Sequence, residues 1–292
     1  MPVVQPTFDR GSVGETFYHT QFDTAAVVDF DKSNEAVRLY GSLLLRLDQM
    51  ALLPYDFVVW AEYLRHSVDW TQARAAGVAD GLSAALERLE TRARRLTLAL
   101  AEANARGWPA LASRSEDVDG VNQQLRAAAR YLLTHCCGLG GDFSHQVMAR
   151  HENSQHNLAV LEQAIAALEA GEARFAVDRL TDKKDGLAGG YLSCHASYPT
   201  YYHYTVGAAN PGRPNLLWAR GRALEIVDCW IVVRALLDKI ARGATDFGAE
   251  LHDLRVQREI TARCLVEDYA HLDAVAETAA TMLPLEAVQA LL

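Results

Sequence analysis

The stretch LSAALERLETRARRLTLALAEANARG, Leu82–Gly107, places leucines at Leu82, Leu86, Leu89, Leu96 and Leu100, with charged residues at many of the positions between. Apolar residues three and four apart lie on one face of a helix, and a run this long exceeds the usual length of a strand. The closing glycine is the residue that most readily takes the left-handed conformation at a helix C-terminus. A long amphipathic helix must bury its leucine stripe, so the fold it implies is helix packed on helix.

The flanking sequence supplies the partners. On the N-terminal side, YDFVVWAEYLRHSVDWTQARAAG, Tyr55–Gly77, offers Asp56 as a cap and Val59, Trp60, Tyr63, Leu64 and Val68 as a stripe. Gly77 and Gly81 permit a break, so the two segments form an antiparallel hairpin or one bent helix. Further upstream, SNEAVRLYGSLLLRLDQMALL offers Ser33 or Asn34 as a cap and Val37, Tyr40, Leu44, Leu47 and Leu52 at helical spacing, with Pro54 as its stop. Downstream, VNQQLRAAARYLLTH is helical, as is NSQHNLAVLEQAIAALEAG, with Asn153 or Ser154 as cap and Gly171 as its end. A short helix from Glu172 to Leu180, a helix in LEIVDCWIVVRALLDKIARG and a long one between Thr245 and Leu283 complete the set. Residues 1 to about 32 and the Gly-, Pro- and Tyr-rich segment 185–215 have loop chemistry. No repeat of solenoid period is present.

Bulk properties restrict the function classes. With 292 residues, half of them hydrophobic, the chain can fill a substantial core. A formal charge of -9, with basic residues interspersed among acidic ones, argues against nucleic acid as a partner. The most apolar window, Val37–Leu53, is interrupted by Arg38, Arg46 and Asp48, so it reads as a core helix and no membrane span is expected. The opening MPVVQPTFDRGS has neither a basic nor an apolar leader segment, which predicts a cytoplasmic protein. Five cysteines without a CxxC spacing are expected as free thiols.

Four clusters carry candidate chemistry. His19, between Tyr18 and Thr20 with Asp23 following, is a candidate metal ligand or base, although one loop histidine specifies little. HENSQH, His151–His156, is not a zincin pair, because residues five apart stand about 140° apart around a helix; it reads as a polar helix start. THCCG, Thr134–Gly138, sets Cys136 and Cys137 near His135, but a helix C-terminus disfavours a thiolate, so core packing is expected. YPTYYHYT, Tyr198–Thr205, is dense in aromatic side chains with polar tips, which suits a pocket wall or a subunit interface.

FYHTQFDT followed, after a helix, by LLPYDF resembles the end of the catalytic domain in the zinc aminopeptidase family that includes glutamate carboxypeptidase II and the transferrin receptor. The match is most specific over Gly14–Tyr63 and extends more loosely through NQQLRAAARYLL, HNLAVLEQAIAALEAGE and NLLWARGRALEIVDCW. The resemblance implies a mainly α fold: a helical bundle of the transferrin-receptor-like dimerisation type, residues 55–292, preceded by a short arm from the end of an α/β zinc-peptidase domain, residues 1–54.

Carried over residue by residue, the resemblance makes His19 the last ligand of a two-zinc site and Tyr18 the partner of the oxyanion. It gives Asp23 and Thr24 orienting roles in the loop, and it makes His203 and Tyr204 candidates for contact with the substrate. The family's other ligands and its general-base glutamate lie upstream of this segment, where this sequence has only 17 residues. The expected function is therefore that of a C-terminal subunit or fragment of a zinc-dependent metallopeptidase or amidohydrolase, inactive alone, acting on a peptide or amide. Its zinc ions would be shared with a chain carrying the missing N-terminal catalytic half. A two-fold dimer is expected through the helical domain, with Tyr201–Tyr204 and the last helices participating. The alternative is a non-catalytic helical dimerisation or interaction protein related to the family.

Overall fold

The computed structural model describes residues 30–136, 149–181, 227 and 229–292, and the described residues are helices and their connections, with no strand among them. The chain divides into two compact units, Met1–Ala51 and Leu52–Leu292. No described helix is long and apolar enough to cross a membrane.

In the first unit, helix α1 spans Phe30–Asp48, beginning before the expected Ser33 cap and ending well short of Pro54. Asp31 in its first turn and Arg46 in its last suit the helix dipole. No residue of α1 is buried. Leu52, expected on its stripe, belongs to the second unit: the side-chain amide of Asn104 accepts from its N–H at 2.9 Å and donates to its carbonyl at 3.0 Å. Asn122 accepts from the next N–H, that of Leu53, at 2.8 Å.

The second unit opens with α2, Phe57–Ser67, whose Asp56 cap accepts from the Val58 N–H as expected. The helix then stops instead of running on to Gly77. Asp69 accepts from the N–H groups of Thr71 and Gln72 and caps a separate helix, α3, Trp70–Ala75. The buried face of α2 is Phe57, Ala61 and Leu64, while Val59 of the expected stripe is exposed. Helix α4, Ala79–Arg106, buries all five leucines of its stripe and ends on Gly107 at φ +75°, as read from the sequence.

Beyond Gly107 come a single helical turn, α5, Trp108–Leu111, a 3-10 turn, and α6, Ser115–Cys136, which starts earlier than expected and runs through Gly120. Helix α7, Arg150–Glu169, likewise starts upstream of Asn153. Its cap is Ala149, whose N–H donates to the Glu152 carboxylate at 2.8 Å. Gly171 at φ +79° closes α7, and α8 follows at Ala173–Thr181. The C-terminal helices are α9, Trp230–Ala241, α10, Gly248–Met282, and α11, Leu285–Leu291; the last, beyond Pro284, is not foreseen by the sequence reading.

The core is organised by two long helices. Helix α4 packs against α2, α10 and α11, and α10 packs in turn against α7, α6 and α9. A second apolar cluster joins α7, α8 and α9 through Leu161, Leu168, Leu180, Val233 and Leu236. Packing on several sides explains why α10 buries residues as different as Leu265, Asp268 and Ala279.

Candidate functional site

Tyr18, His19, Asp23, Thr24, His203 and Tyr204 all lie outside the described residues, as does Cys137. Among the described residues, no group of three or more His, Cys, Asp or Glu side chains is placed to hold a metal ion. What is described is a polar seam where the end of α2 and the start of α7 meet the middle of α10.

The seam is assembled from short-range geometry. Tyr63 and Ser67 stand one turn apart on α2, and Asp69 follows at the kink into α3. The phenol of Tyr63 donates to the Glu152 carboxylate and accepts from the Ala149 N–H at 3.2 Å, tying α2 to the cap of α7. One turn on, Gln155 accepts from the Asp69 N–H at 2.9 Å and from the Tyr269 hydroxyl at 2.7 Å, while its amide donates to the Ser67 carbonyl at 2.9 Å. One glutamine thus bridges three helices.

His151 is 1% exposed, and its Nε2 lies 2.7 Å from the Ser67 hydroxyl. A hydroxyl beside an imidazole is the first contact of a nucleophile and base pair, but proton accounting argues otherwise here. Serine has one proton, and the Leu64 carbonyl takes it at 2.9 Å. Nε2–H of His151 is then the donor to Ser67, so the imidazole acts as a clamp and holds no lone pair toward the hydroxyl. HENSQH is the polar start of a helix, as read from the sequence, and its His151, Asn153 and Ser154 are buried.

Charge is buried here too. Asp268, 3% exposed, accepts from the Ser154 hydroxyl at 2.5 Å and pairs with Arg150 at 3.0 Å. Burial pushes the Tyr269 phenol above its ordinary range, and the Asp69 carboxylate adds to the shift, so this side chain is a neutral donor throughout the physiological range. Fixed tautomers, a neutral phenol and paired charges give the seam the chemistry of a structural hydrogen-bond network. Cys136 is buried in the last turn of α6, which agrees with the core packing expected for it.

A shallow groove of about 530 Å³ lies between α4 and α10, with Arg88, Arg92 and Arg95 beside Ala84 and Ala280. Arg88 pairs with Glu277, and Arg92 with Glu286 and the Leu283 carbonyl. The first two arginines are therefore spent on holding α10 and α11 to α4. No family model, curated protein or solved structure matches the chain.

Proposed function

We propose that the chain is a C-terminal part of a zinc-dependent peptidase or amidohydrolase, contributing His19 to a metal centre whose other ligands come from polypeptide outside these 292 residues. The motif FYHTQFDT with LLPYDF is the basis of this reading, and one structural observation supports it. Val37, Leu39, Tyr40, Leu43, Leu44 and Leu47 of α1 are all exposed, Leu44 at 65%. At about 100° per residue they cover a continuous arc of about 160°, the width expected of a helix built into a core. In this reading the core that covers α1 is that of the catalytic polypeptide, and His19 is one of the metal's ligands.

Imidazole nitrogen is a good zinc donor, and zinc, when bound, supplies Lewis acidity toward the scissile carbonyl and the attacking water. With the metal bound, Tyr18 would donate to the developing oxyanion and Asp23 and Thr24 would hold the loop, while His203 and Tyr204 are candidates for contact with the substrate. The helical unit provides the two-fold contact.

The second reading, a non-catalytic helical interaction protein, is favoured by the self-contained core of the Leu52–Leu292 unit. Metal analysis separates the two readings. The chain isolated from its natural source together with its bound polypeptides should contain zinc and hydrolyse peptide or amide bonds. A complex without zinc contradicts the enzyme reading.

A further inference from the structure

Helix α4 has an outward face between two seams. Its leucine stripe points into the core, Glu90 and Arg94 bond Arg65 and Glu62 on the side of α2, and Arg88 and Arg92 pair with α10 and α11 on the opposite side. Between the seams the helix turns a strip to solvent, with Leu98, 72% exposed, at its centre. At about 100° per residue, Thr91 and Ala105 lie about 20° to either side of Leu98, and both are exposed. The bonds of Arg65 to Glu90 and of Arg94 to Glu62 set α2 antiparallel to α4. Continued along the helices, that register brings Val59, 56% exposed, level with Leu98. The two side chains make a small apolar centre on a face shared by α2 and α4.

Charge on this face is divided at Leu98. Arg95 comes before it and Glu102 after it, and both fall on the α11 side, about 60° and about 40° round the helix from Leu98. Both are exposed. Glu102 pairs with Arg106 of its own helix, but its side chain is 61% exposed, so water weakens that pair and the carboxylate keeps room for a second arginine. Arg95 acts on Glu286 of α11 through its charge. The α2 side repeats the division. Arg94 comes before the level of Leu98, and Asp56, exposed on the antiparallel helix, lies beyond it.

A two-fold axis crossing α4 at Leu98 reverses position along the helix and keeps the side. It lays Leu98 on Leu98 of a second copy and Thr91 on Ala105, whose small side chains let the helices approach. It also brings Arg95 beside Glu102 and Arg94 beside Asp56, each contact made twice. Symmetry thus turns a strip of divided charge into its own complement, the condition for an isologous contact. We propose that the face of α2 and α4 centred on Val59 and Leu98 is the docking surface for a second copy of this chain, with Arg95 of each copy on Glu102 of the other. One helix pair from each side is a small interface, so association in the micromolar range is expected. The surface is distinct from Tyr201–Tyr204 and the last helices, and it stands on α2 and α4 whether or not the zinc reading holds.

Sedimentation equilibrium of the full chain, loaded at about 1 to about 200 μM, tests the proposal. The unmodified chain should follow a monomer–dimer equilibrium. Arg95→Glu and Glu102→Arg each set like charges against one another twice per dimer, and each should weaken association at least about tenfold. Leu98→Asp should do the same by putting charge at the apolar centre. All three positions are exposed, so the folded monomer should be retained. An equimolar mixture of Arg95→Glu and Glu102→Arg should recover association to within about threefold of the unmodified chain, because in the mixed dimer both contacts join unlike charges. A purely local role for either side chain within its own copy cannot produce that recovery. A monomer throughout the range, a dimer that either charge reversal leaves intact, or a mixture that associates no better than its components overturns the proposal.

Discussion

Helices α1 and α7 are of similar length and opposite habit. Helix α1 exposes Leu39, Leu43, Leu44 and Leu45, whereas α7 buries His151, Asn153, Ser154 and Asn157 along with its leucines. Composition alone would have exchanged their places. What decides burial is the surroundings. Helix α7 meets α2, α8 and α10 with hydrogen-bond partners already arranged, so its polar groups lose water without losing their bonds. Helix α1 has leucines for a core, and none of its residues is buried.

That contrast can be broken first at the polar end. Asp268→Ala should cost about 3 kcal/mol, because it leaves Arg150 largely desolvated without its carboxylate and removes the acceptor of Ser154. Urea unfolding measures the loss; a change below about 0.5 kcal/mol, the usual range for surface positions, would mean that the seam is decorative. Tyr269→Phe is gentler. Gln155 keeps the Asp69 N–H as a donor, so the loss should be about 1 kcal/mol in the same assay.

The apolar end should respond in the opposite way. Leu44→Ser should change the stability of the isolated chain by no more than about 0.5 kcal/mol, since no described residue buries that side chain. If the proposed catalytic polypeptide covers α1, the same substitution should weaken association with it at least tenfold, as read by titration of one component into the other. A large loss of stability in the isolated chain would show that α1 is covered from within.

Much of the helical scaffold was legible because period and caps are local signals. The leucine stripe of α4, its Gly107 end, the Asp56 cap and the Gly171 stop all follow from residues within a turn or two. Boundaries failed where the deciding contact was distant. Asn104 captures Leu52 from across the unit, and α7 begins at Arg150 because Glu152 reaches back to Ala149 while Tyr63 of another helix holds the same pair. Asp69 caps the short helix α3 although the apolar stripe of α2 continues to Val68, which masks the break in the sequence. The seam itself left no local trace: His151, Gln155 and Tyr269 look like ordinary polar positions until α2, α7 and α10 are brought together. The residues of the zinc reading rest on a motif alone.

Zinc content and turnover of the assembled complex with His19→Ala test the central claim most directly. Removing a zinc ligand weakens both metal affinity and water activation. The expected outcome is a variant that folds and assembles like the unmodified chain but loses zinc and loses metal-dependent hydrolysis. A His19→Ala complex with normal zinc and normal turnover would contradict the account.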